Sequence, residues 1–69
     1  MKLRVHYRYG DRIRKATSSG NPFSTERLNS WSQTVSDVRR SDGMVFFEGF
    51  KPSDFAVPAQ EIVLMELID

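Results

Sequence analysis

The chain has 69 residues and a formal net charge of +1; 39% of its residues are hydrophobic and none is cysteine. A chain this short buries only about 60% of the surface it exposes when unfolded, enough for one thin core and a single domain. Length excludes barrel enzymes and dinucleotide folds, and composition excludes disulfide frameworks, Cys-ligated zinc, iron–sulfur clusters and thiol nucleophiles.

Small secreted domains usually reinforce a thin core with disulfides, so the lack of cysteine points to a reducing, cytoplasmic setting. Met1-Lys2-Leu3-Arg4 carries charge but is followed by no apolar stretch of signal-peptide type. The longest apolar run, Ile62 to Met65, falls far short of a bilayer. No membrane partner is expected. Charge is unevenly placed: Lys2, Arg4, Arg8, Arg12, Arg14 and Lys15 face only Asp11 in the first 15 residues, whereas carboxylates dominate after residue 28. One basic and one acidic face are expected.

The opening reads as a strand. Leu3, Val5, Tyr7 and Tyr9 alternate with Lys2, Arg4, His6 and Arg8, the period of a half-buried strand. Gly10-Asp11 supplies a turn. A three-residue loop that pairs Tyr9 with Ile13 is preferred, because a two-residue loop sends Ile13 to the charged face.

Residues 17–36 change character. Nine of these twenty positions are Ser or Thr, and Gly20-Asn21-Pro22 sits early in the run, which argues for a loop. Within it Leu28, Trp31, Val35 and Val38 recur at helical spacing, so a short helix is predicted over 25–33, with continuation to Arg40 as an open alternative. Ser24 is its expected N-cap, Glu26 lies in its first turn, and Trp31 is its core anchor.

Ser41-Asp42-Gly43 precedes Met44-Val45-Phe46-Phe47, and the preferred reading is a hairpin with Val38 opposite Phe47 and Arg40 opposite Val45. The rival is a helix ending at Gly43 as its left-handed cap. Gly49 and Pro52 close that strand, and Phe55 to Val57 forms a short extended piece stopped by Pro58. The tail from Glu61 to Ile68 is apolar on both parities and reads as a strand covered on both faces, with a C-terminal helix as the alternative. The fold class is mostly β (α+β): a small antiparallel sheet or meander of about five strands with one short inserted helix.

The catalytic inventory is poor. A nucleophilic triad needs an oriented base, and the one histidine, His6, lies between Arg4 and Arg8 with no carboxylate evident to orient it. No spacing supplies a metal cluster, and Gly10, Gly20, Gly43 and Gly49 are scattered rather than gathered into a phosphate loop. No enzyme activity, metal or cofactor is expected.

Two binding surfaces are expected. The first is a basic hairpin face of Arg4, His6, Arg8, Arg12, Arg14 and Lys15, suited to an acidic protein or to a nucleic-acid backbone. The second lies in the phenylalanine cluster, where Phe46, Glu48 and Phe50 share one strand face and Val45 and Phe47 the other. A domain this thin has difficulty burying both, which makes one a docking or self-association surface and admits a homodimer.

The run from Gly43 through Phe47, followed by Val57-Pro58-Ala59-Gln60-Glu61-Ile62 and a closing apolar strand, resembles small β-rich open reading frames of phages and mobile elements of Gram-positive bacteria. The resemblance covers the first strand and residues 43–68 and carries over no site residues. It implies a compact accessory protein that inhibits or adapts a host factor. The expected function is therefore a non-catalytic module docking on a protein partner, with a nucleic-acid binder using the first hairpin as runner-up.

Overall fold

The computed structural model describes residues 1–19 and 23–69; the loop expected at Gly20-Asn21-Pro22 lies outside the described residues. Strands β1 (Lys2–Tyr9) and β2 (Arg12–Ser18) form the opening hairpin, and helix α1 (Thr25–Arg40) follows. Then come β3 (Met44–Phe47), the two-residue β4 (Phe50–Lys51), β5 (Phe55–Pro58), a single 3-10 turn at Ala59–Glu61, and β6 (Ile62–Ile68). Pairing is antiparallel throughout, in a four-stranded sheet of order β4-β2-β1-β6 and a two-stranded sheet of β3 and β5. The mostly β architecture with one inserted helix is as the sequence reads; the strand count is six rather than about five.

Among the described residues, one face of the larger sheet is packed. Leu3, Val5, Tyr7, Ala16, Phe50 and Ile62 point inward and meet Val35 of α1 and Val45, Phe47 and Val57 of the smaller sheet. Four rings stack through this core in the order Trp31, Phe47, Phe55, Tyr7, with centroid separations of 5.1, 4.8 and 4.6 Å and interplanar angles of 18° or less. Phe50 meets Phe47 and Phe55 edge-on. Offset-stacked and edge-on rings each add about 0.5–1.5 kcal/mol beyond area burial, a large share in so thin a core.

The hairpin uses the two-residue loop, not the three-residue one: Tyr9 pairs with Arg12 and Arg8 with Ile13. Gly10 takes φ 66°, the left-handed region that such a turn requires at its first central residue. The reason lies farther down β2. A three-residue loop would bring Thr17 inward opposite Val5 and turn Ala16 and Ser18 outward, whereas the observed register places Ala16 and Ser18 inward, 2% and 4% exposed. Ile13 stays in water as a result, which forfeits about 1.5–3 kcal/mol of burial. Ser18 is then satisfied, its hydroxyl accepting from the Leu3 backbone N–H at 2.9 Å.

The helix runs the full length to Arg40, correcting the short span of 25–33 and the hairpin preferred at Asp42-Gly43. Ser24 caps its start as expected, its Oγ accepting from the Arg27 N–H at 3.2 Å. At the other end Asp42 takes φ 57°, and the Gly43 and Asp42 N–H groups donate to the carbonyls of Val38 and Arg39 at 3.0 and 3.2 Å. This is a Schellman closure in which Asp42, not Gly43, is the left-handed residue. Gly43 is needed for space, since a Cβ there would lie 3.0 Å from Val38 Cγ1. The stripe of Leu28, Trp31, Val35 and Val38 carries the helix past its serines, because tertiary burial outweighs intrinsic propensity.

β6 is a strand, but it is covered on one face only. It lies at the sheet edge, where Ile62, Met65 and Leu67 turn toward the core and Val63 and Leu64 are 52% and 49% exposed. A register shift opposite His6 and Tyr7 leaves Val63 as the extra residue of a bulge. The start of this strand is tied to the end of α1: the Arg39 guanidinium donates to the carbonyls of Ala59 and Ile62, and Gln60 donates to the Arg39 carbonyl.

Candidate docking face and cleft

The outward face of the four-stranded sheet is set by the register. Directly opposed residues share a face, so Arg4 lies beside Thr17 and Glu66, His6 beside Lys15 and Leu64, Arg8 beside Ile13, and Lys51 beside Thr17. Lys2 and Ile68 extend the same face at one end. No helix or second sheet covers it among the described residues. Ile13, 56% exposed, lies at the hairpin end of this face and Leu64 on its edge strand, and the same face carries five cations: Lys2, Arg4, Arg8, Lys15 and Lys51.

Two carboxylates moderate this charge. His6 Nε2 lies 2.9 Å from Glu66 Oε1, and Arg8 Nε donates to Glu61 Oε2 at 3.3 Å. Glu66 thus supplies the orienting carboxylate that the sequence did not reveal for His6, because the β1–β6 pairing joins residues 60 apart. The second pair is open to solvent and holds its partners weakly. Among the described residues no hydroxyl hydrogen-bonds the His6 ring, and no group of three or more His, Asp or Glu side chains gathers to hold a metal.

The six residues of the expected basic face do not stay together. Arg4, His6, Arg8 and Lys15 share the outward face; Arg12 and Arg14 project on the opposite side, a direct consequence of the two-residue loop. Arg14 places its guanidinium carbon 4.6 Å from the Tyr9 ring centroid. The expected Phe46, Glu48 and Phe50 face is also broken. Gly49 at φ 79° turns the chain between β3 and β4, so Phe46 and Glu48 remain exposed while Phe50 is 4% exposed in the core. Asp54 stabilises this turn, its Oδ1 accepting from the Gly49 N–H at 2.7 Å.

A cleft of about 520 Å³ opens where the inward face of the hairpin runs past the core. It is lined by Tyr7 and Tyr9 of β1, by Phe55 to Pro58 of β5, and by Arg14, Arg8 and Glu61. The sequence signal for it was Tyr9, whose parity matches the core residues but whose position lies beyond them, leaving it 64% exposed.

No helix among the described residues is long and apolar enough to cross a membrane. No family model, curated protein or solved structure matches this chain.

Proposed function

We propose that this chain is a non-catalytic binding module that docks on an acidic protein surface through the outward face of its four-stranded sheet. The observation that carries the reading is the composition of that uncovered face, where exposed Ile13 and Leu64 lie among Lys2, Arg4, Arg8, Lys15 and Lys51. Exposed aliphatic side chains among cations offer a protein partner both apolar contact and complementary charge. Complementary charge on the partner would steer encounter and fix register.

Nucleic acid fits this face less well. Both tyrosines of the hairpin lie on its other side, so the face offers no aromatic platform for bases, and its exposed aliphatics gain nothing from a phosphate backbone. A role as an accessory or inhibitor-type protein of a phage or mobile element, acting in the cytoplasm, rests on the resemblance and on the lack of cysteine.

The test is affinity capture from a lysate of the source organism, treated or untreated with nuclease, followed by titration of salt on the captured complex. Capture that survives nuclease and weakens with salt supports docking of an acidic protein. Capture that disappears with nuclease transfers the face to nucleic acid.

A further inference from the structure

The cleft at the end of the hairpin is separate from the outward sheet face, and its chemistry differs. We infer that it is a binding site for a small organic anion with an apolar body, a carboxylate or a phosphate. The inference does not depend on the docking reading.

Three features select this ligand class. The first is size: about 520 Å³ lies within the range of small-molecule sites. The second is the wall. Tyr7 and Phe55 stack on each other at 4.6 Å, so their facing rings are taken, and the apolar surface left exposed in the cleft is that of Tyr9, Pro52, Ala56 and Pro58. The third is charge. Arg8 is engaged by Glu61 at 3.3 Å, while Arg14 meets no carboxylate among the described residues and instead lies over Tyr9. A guanidinium without a carboxylate partner keeps N–H donors available, and their fork matches a carboxylate or phosphate in a bidentate manner. One uncompensated cation beside apolar walls calls for one anionic group on an apolar body.

The experiment is a titration of the full chain followed by amide-resolved NMR, with naphthoate, naphthylmethylamine and naphthylmethanol as probes of one ring and three charges. Naphthoate is expected to give saturable shifts at Gly10, Ser53 and Ala56, with Trp31, on the far side of the core, unmoved. Naphthylmethylamine should bind at least about tenfold more weakly, the size of one lost charge-assisted contact. Arg14→Gln should lower naphthoate affinity by a similar factor and leave naphthylmethanol unchanged; Arg14 is exposed, so the variant keeps its fold. Equal binding of naphthoate and the amine would overturn the inference. So would naphthoate binding indifferent to Arg14→Gln, or no saturation by about 10 mM.

Discussion

Replacing Phe47 with leucine keeps most of the side-chain volume but removes the ring at the centre of the aromatic stack. Phe47 is fully buried and touches Trp31 at 5.1 Å, Phe55 at 4.8 Å and Phe50 at 5.3 Å between centroids. Aromatic pairs are worth about 0.5–1.5 kcal/mol each beyond area, so loss of three, partly offset by repacking, should cost about 1.5–3 kcal/mol. A domain of this size holds roughly 3–5 kcal/mol in total, so Phe47→Leu should move the urea midpoint to about half its original value or lower. Phe47→Ala, at about 3–5 kcal/mol, should unfold the chain outright. The adjacent Phe46 is the internal control. It is 59% exposed, and Phe46→Leu should shift stability by no more than about 0.5 kcal/mol. Equal midpoints for the two leucine variants would refute the assignment of faces in β3 and with it the stacked core.

Other perturbations test the elements that position the sites. Asp42→Gly should raise the melting temperature by several degrees, because glycine relieves the penalty of about 1 kcal/mol for a left-handed residue at φ 57°. Gly43→Ala should lower it, since its Cβ would lie 3.0 Å from Val38 Cγ1; opposite results would contradict the helix closure at Asp42-Gly43. Leu64→Asp should remain folded with a loss below about 1 kcal/mol, whereas Ile62→Asp should fail to fold by circular dichroism. Unfolding of Leu64→Asp would show that the outward face is packed rather than open.

Local periodicity was legible, while long-range competition was not. The alternation from Leu3 to Tyr9 and the stripe from Leu28 to Val38 identify β1 and α1 because each repeats its period over several positions. The hairpin register turns on whether Ala16 and Ser18 or Thr17 face the core, and only the second half of β2 decides it, with Ile13 left exposed. The Asp42-Gly43 pair suits a hairpin and a helix end equally well at the local level. The helical outcome depends on Val35 and Val38 finding β3 and β6 beneath them. Of the candidate site, the cations of β1 were visible, but Glu66, Leu64 and Lys51 join them only through strand pairings that span tens of residues. Phe50 was misplaced because the turn at Gly49 breaks a parity that appears continuous in sequence.

The most direct test of the docking account compares two baits in nuclease-treated lysate of the source organism, each first shown to be folded. One carries Ile13→Asp with Lys15→Glu, which removes an exposed aliphatic side chain and reverses a cation on the outward sheet face; the other carries Phe46→Asp, an exposed change on the smaller sheet. The account predicts that the wild type and Phe46→Asp retain the same captured protein, and that the double variant loses it. Retention of that protein by the double variant, or its loss with Phe46→Asp alone, would contradict the assignment of the sheet face as the docking surface.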